Sequence, residues 1–178
     1  MRLDLFCNNN FERGASRPKE ALWLLVSGLF VESWLPGSAW RVAILRLFGA
    51  RIGEGIVFKP GTKVKFPWRL EVGSYSWIGE RVWIDNLGQV TIGKHACLSQ
   101  GAYLCTGSHD WSSERFDLIV APIMIADHAW ICAYTTLAPG SSIGEGAVVT
   151  MGETTVGQVQ PWTVWTQEGK RPRIMNRE

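Results

Sequence analysis

An aliphatic residue followed by a small or acidic one returns every six residues through much of this 178-residue chain. The pattern begins at Ile52-Gly53. Ile78-Gly79-Glu80-Arg81-Val82-Trp83 repeats it, and Ile92-Gly93-Lys94-His95-Ala96-Cys97 restates it. Leu98-Ser99-Gln100-Gly101-Ala102-Tyr103 follows in frame. Four more hexads run without interruption from Ile125 to Val148, opened by Ile125, Ile131, Leu137 and Ile143. A period of six suits neither a helix, which repeats at 3.6, nor a lone strand, which repeats at 2. It fits an all-β parallel β-helix with short strands, tight corners and three strands to a coil. The aliphatic residue points into the prism. The small residue after it sits where the backbone turns and a Cβ would crowd. Each coil buries its faces only by stacking on the next, so several in-frame repeats are required.

The frame slips in two places. Eight residues separate Ile84 from Ile92, so two surplus residues are expected to bulge out around Asp85-Asn86. Thirty-three separate Ile92 from Ile125, where a coil takes eighteen. The fifteen left over must leave the prism as a loop, roughly Ser108–Pro122, and loops on a rigid scaffold are where function concentrates.

Residues 1–50 lack the repeat and form a helical N-terminal cap in this reading. Pro18 opens one helix near its first position. Ser38 as N-cap and Gly49 as the residue past the end bracket a second. On that helix Trp40, Ile44, Leu47 and Phe48 make one apolar stripe, with Arg41 and Arg46 off it. The cap would cover the open edge of the first coil. Alternatively, with Trp23 and Trp34, it would lie at a lipid surface. The β-helix domain spans 51–165, and a basic tail of 166–178 carries Lys170, Arg171, Arg173 and Arg177.

Charge and composition narrow the function. A net charge of +2 is too small for a protein that binds nucleic acid by neutralising phosphate. No apolar run reaches the roughly 18 residues of a membrane span. No signal-peptide pattern opens the chain, so a cytoplasmic protein is expected, with Cys7, Cys97, Cys105 and Cys132 as free thiols.

The hexads resemble those of the hexapeptide-repeat acyltransferases. So do the loop Thr106-Gly107-Ser108-His109-Asp110-Trp111 and the stretch Ala129-Trp130-Ile131 before Pro139-Gly140. The segment Gln100–Asp110 and the leader Ala21-Leu22-Trp23…Leu47-Phe48-Gly49-Ala50 are most similar to the colanic-acid biosynthesis acetyltransferase subgroup. The resemblance covers roughly residues 11–165. It implies a left-handed β-helix, a homotrimer with active sites between subunits, acetyl-CoA as donor, a sugar or glycan hydroxyl as acceptor, and no metal.

His109 in the extruded loop is then the general base, because a sugar hydroxyl must lose its proton as it attacks a thioester. Gly107 allows a tight turn beside it. Asp110 and Trp111 are candidates for holding the acceptor, Asp110 also for orienting the imidazole. Asp85 and Asn86, a carboxylate and an amide on the coil before, could bind sugar hydroxyls. On the donor side the resemblance points to Trp130, Ala133, Met151 and Gly152 along the pantetheine arm. Two segments depart from the family. Thr155-Val156-Gly157-Gln158 lacks the usual lysine, and Gln167-Glu168-Gly169 stands where Gly-Asn-Pro is usual. Lys170 and Arg171 are candidates to hold the nucleotide end instead. Two rival readings stay open: a non-catalytic trimeric scaffold, and a γ-carbonic-anhydrase-like metalloenzyme using His95, His109 and His128. His95 and His128 fall one above the other once the surplus residues are removed. Peripheral membrane contact through the leader would suit a lipid-linked acceptor.

Overall fold

The computed structural model describes residues 2–9, 11–166 and 168–173. Gln167 and the tail from 174 onward, with Arg177, lie outside the described residues. The chain folds as a triangular parallel β-helix preceded by a helical leader.

Each face of the prism is a ladder of short parallel strands, one from each coil. The inward rows are the aliphatic positions of the hexads. Ile52, Val72, Ile92, Ile125, Ile143 and Val159 pair in register on the first face. Phe58, Ile78, Leu98, Ile131, Val149 and Trp165 do so on the second. Val64, Ile84, Leu104, Leu137 and Thr155 make the third. Nearly all of these side chains are buried, so like residues stack on like through the length of the prism. The small residue after each aliphatic one is required. A Cβ on Gly73 would lie 2.6 Å from the carbonyl carbon of Gly93, and one on Gly79 2.7 Å from the Gln100 nitrogen, both in the next coil. At the corner between first and second faces Tyr75, His95 and His128 take the left-handed conformation. Their rings stack at 5.3 and 5.2 Å, the two imidazoles within 3° of parallel, as the spacing predicts.

At the C-terminal end the strand Gly169–Pro172 turns back antiparallel on Thr163–Thr166. At the other end sits the leader. Its first helix, α1 (Arg17–Val26), carries Pro in its first turn and runs into a π-helical turn, Ser27–Val31. The second, α2 (Ala39–Leu47), follows Ser38. Trp23 is wholly buried, lies 5.0 Å from the Phe48 ring and donates its indole N–H to the Val64 carbonyl at 3.0 Å. It thereby plugs the first coil.

Two expectations for the leader are corrected. The buried stripe of α2 is Arg41, Val42 and Leu45, joined by Phe48, whereas Leu47 is 81% exposed. Arg41 is fully buried because its guanidinium donates to the carbonyls of Val31, Ser33, Leu35 and Gly37. It satisfies the carbonyls that the end of the π-turn and the following bend leave over. Ser38 makes no cap bond. Its hydroxyl donates to Ile56 O and accepts from Phe58 N, which pins α2 to the first coil. No helix among the described residues is long and apolar enough to cross a membrane.

Candidate active site

The surplus residues leave at one corner, between the third face and the first. Eight residues separate Val64 from Val72 there, eight separate Ile84 from Ile92, and twenty-one separate Leu104 from Ile125. The long insertion is an antiparallel hairpin rather than an open loop. Gly107–His109 pairs with Leu118–Val120, His109 opposite Leu118 and Gly107 opposite Val120. Gly107 is extended, not turned, and its lack of a side chain makes room for Leu87. Thr106, which sequence reasoning did not single out, roots the hairpin. It is buried, donates its hydroxyl to Asp85 O and accepts from Gly88 N, while its carbonyl receives Ala121 N.

His109 is the side chain around which the hairpin is organised. Its Nδ1 lies 2.8 Å from the Phe116 carbonyl oxygen. A carbonyl only accepts, so Nδ1 carries the hydrogen, and the neutral ring presents the lone pair of Nε2. The Phe116 ring stacks on the imidazole at 4.1 Å and within 2° of parallel. Phe6, from the N-terminal segment, meets it edge-on at 5.3 Å. Phe116 reaches this position with a φ of +53°, a conformation that costs a non-glycine residue energy and that collects at functional sites.

Asp110 does not orient the imidazole, because Phe116 does. Its Oδ1 accepts from the Ser112 N–H and hydroxyl at 2.9 and 2.6 Å and from Ser113 N, folding the hairpin tip. These bonds, the Ser112 hydroxyl first, hold its carboxyl below the ordinary aspartate range. Trp111 stands 85% exposed at that tip.

The expected bulge at Asp85-Asn86 is absent. Asn86 is fully buried and spends its amide on backbone: Oδ1 accepts from Phe66 N, and Nδ2 donates to Phe66 O and Arg69 O. It cannot reach a sugar. Asp85 ends a strand, with Lys65 Nζ 3.1 Å from one carboxylate oxygen and the Tyr103 hydroxyl 3.3 Å from the other. Burial above all, helped by Cys105 and the Asp85 carboxylate, pushes the Tyr103 phenol up, so it stays a donor. Asn86 turns inward and ties its coil to the coil before it, while Asp85 stays on the outer side between its two neighbours.

The candidate donor residues lie along the second face. Trp130 points outward, with its indole N–H on the Ser99 hydroxyl at 2.9 Å. Val148, Val164 and Arg171 continue its row in register. Ala133 and the pair Met151-Gly152 share the corner at the end of that face, with Gly152 N on Ala133 O. Met151 is 70% exposed, whereas the Ala133 methyl is nearly enclosed, so Ala133 offers a ligand little but backbone. Arg171 pairs with Glu168 at 2.6 Å. Lys170 departs from the expectation: strand alternation turns it to the other side, where its ammonium lies 5.2 Å over the Trp165 ring. Among the described residues no three His, Cys, Asp or Glu side chains converge as a metal site.

No protein-family model matches the chain. It is 42% identical over 139 residues, 77% of its length and 76% of the relative's, to WcaF of Escherichia coli (strain K12), which carries a provisional name as a colanic acid biosynthesis acetyltransferase. Among solved structures it superposes on the hexapeptide-repeat acetyltransferase VCA0836 of Vibrio cholerae, complexed with acetyl coenzyme A, with a TM-score of 0.77 at 24% identity. That match covers 93% of this chain and 92% of the other. A galactoside acetyltransferase in complex with coenzyme A gives 0.74 at 18% identity, covering 87% and 79%.

Proposed function

Since the chain belongs to the hexapeptide-repeat acetyltransferases, in the group of the colanic acid biosynthesis enzymes, we propose that it moves an acetyl group from acetyl-CoA to a hydroxyl of a sugar or glycan intermediate. His109 is the general base. Its Nε2 takes the proton of the acceptor hydroxyl as the oxygen attacks the thioester carbonyl. The tetrahedral intermediate collapses, the C–S bond breaks, and the imidazolium returns the proton to the departing CoA thiolate. The observation that carries this reading is the Nδ1–Phe116 hydrogen bond, which orients the ring and leaves Nε2 for the acceptor. Phe116 also covers one face of the ring.

The donor lies along the second face, its pantetheine arm against Trp130 and past Met151 and Gly152, with Arg171 toward the nucleotide phosphates. Trp111 stacks on the acceptor. The active unit is a homotrimer, which would cover the exposed rings Trp77, Trp83, Trp130 and Tyr134 along the solenoid. The enzyme works in the cytoplasm, at the inner membrane face if its acceptor is lipid-linked.

The test is acetyl-CoA titration calorimetry on wild type and His109→Ala. Transfer to methyl glycosides of glucose, galactose, mannose and fucose is then followed by CoA release. Both proteins should bind the donor with similar affinity. The variant should lose transfer by about 10²–10⁴-fold. Failure of either protein to bind acetyl-CoA would instead bring forward a scaffold role, in keeping with the altered segments at Thr155–Gln158 and Glu168-Gly169.

A further inference from the structure

The first residues of the chain carry no repeat, no motif and no helix of useful length, yet they end against His109. The root of this segment is clamped. The Phe11 ring stacks 6.4 Å from Phe66 and lies under the Arg69 guanidinium, Glu12 O accepts from Arg69, and Arg13 O accepts from the Trp68 indole at 2.8 Å. From there residues 2–9 run out along the hairpin as an arm. The tip is held by one backbone bond, Arg2 N to Glu114 O at 2.8 Å, and by the edge of Phe6 on the imidazole.

Between arm and hairpin lies a cleft of about 260 Å³, lined by Cys7, Asn8 and Phe11 on one side and by Asp117, Leu118 and Val120 on the other. Its position follows from the register. Leu118 is the cross-strand partner of His109 and Val120 that of Gly107, and partners share a face. The Leu118 and Val120 wall of the cleft therefore lies on the side of the hairpin that carries the base. Its size is close to the roughly 300 Å³ at which small-molecule pockets begin. Its walls are of two kinds. Phe11, Leu118 and Val120 offer apolar surface. Asn8 offers an amide with no hydrogen bond among the described residues. Asp117 offers a carboxylate whose Oδ2 accepts from Ser113 Oγ at 2.7 Å and whose Oδ1 lies 3.7 Å from Arg115. A pyranose has that same division, with an apolar C–H face and a rim of hydroxyls.

We infer that this cleft is the acceptor subsite and that the N-terminal arm is part of it. The arm binds one sugar ring between Asn8, Phe11, Asp117 and Leu118, while Phe6 acts as a positioning residue that packs edge-on against the imidazole. This deepens the transferase reading and rests on it for the identity of the ligand. Phe6 and Asn8 have no place in the repeat, so the acceptor specificity of this chain is written in a segment its fold does not require.

Cys7 lines the cleft and is exposed, which makes it a native reporter. The full chain, as wild type and as His109→Ala, is pulsed with iodoacetamide in increasing methyl glycoside, and each cysteine is read by peptide mass spectrometry. A glycoside should slow alkylation of Cys7 at least fivefold in both proteins, with Cys97 and Cys132 unaffected. In the same assay series Asn8→Ala should raise the acceptor KM about tenfold, the worth of one hydrogen bond, without changing acetyl-CoA affinity. Phe6→Ala should lower kcat more than it changes KM, and Phe6→Tyr should restore it. Transfer by wild type with no protection of Cys7 and an unchanged KM in Asn8→Ala overturns the arm subsite and leaves the transferase reading standing. Protection of Cys7 with no transfer by wild type upholds the subsite and overturns the transferase reading. Neither protection nor transfer overturns both.

Discussion

At the scale of single residues, what matters at His109 is a backbone acceptor. A carboxylate on Nδ1 would stabilise the imidazolium and raise the basicity of the ring; a neutral carbonyl fixes the tautomer with a smaller electrostatic effect. The histidine itself was legible from its motif. Its partner was not, because the six residues between His109 and Phe116 show no spacing that tells a hairpin from an open loop. Asn86 was misread for a related reason. A surplus of two residues says that a corner is longer, not whether the extra side chain faces solvent or the neighbouring coil. The thiols give a separate prediction at this scale. Burial pushes Cys97 and Cys132 up from the ordinary thiol range, with the Ser99 hydrogen bond partly opposing it at Cys97 and the Cys97 charge adding to it at Cys132. A raised value means less thiolate at any given pH. Their alkylation rates should therefore climb only above the usual midpoint of about 8.5, displaced to higher pH than that of a free thiol. Rate–pH profiles from iodoacetamide pulses measure this, and two profiles centred at or below the free-thiol value would contradict it.

At the scale of elements, the hexads were readable because each aliphatic position is a full contact between coils, repeated until chance is excluded. Their glycines can be weighed the same way. A Cβ on Gly93 would lie 2.6 Å from the Asp127 nitrogen, backbone that a neighbouring coil cannot withdraw. Gly93→Ala should destabilise by about 1–3 kcal/mol, the range for overpacking. Gly28, in the π-turn of the leader, meets nothing within 4 Å. Gly28→Ala should be neutral or stabilise by up to about 1 kcal/mol through the chain entropy that glycine surrenders. Chemical denaturation of both variants settles the contrast, and equal losses would mean that the coils yield more than their contacts suggest. The leader was legible only in outline. Helix ends are marked by Pro18 and Gly49, but the face of α2 is set by Arg41 reaching four carbonyls of a bend that has no periodic signature. A charged side chain takes a place in the buried stripe, and the apolar positions shift with it.

At the scale of the molecule, the outward rows carry more apolar surface than a lone solenoid would keep. The exposed rings along its faces predict self-association, and the proposed transferase reading makes the assembly a trimer. Sedimentation equilibrium should return three times the chain mass at micromolar concentration, and a monomer would count against active sites between subunits. The leader exposes Leu22, Leu25, Leu29, Phe30 and Trp34 away from the prism. If these meet lipid, the full chain should float with liposomes and a Leu25→Glu, Phe30→Glu variant should not; recovery of wild type at the bottom of the gradient ends that idea.

A stack of coils has no intrinsic length. Its first and last ladders present the same unpaired backbone as every rung between, and a second molecule could dock there and continue the pile. The two non-repeating pieces prevent this. The leader plugs one end with Trp23, whose indole takes the Val64 carbonyl, and the reversed strand Gly169–Pro172 occupies the hydrogen bonds of the last second-face rung. A reversed strand cannot template the next parallel coil in register. The reversed strand Gly169–Pro172 thus acts as a chain terminator for assembly, and what it sets is the difference between a discrete enzyme and a fibre.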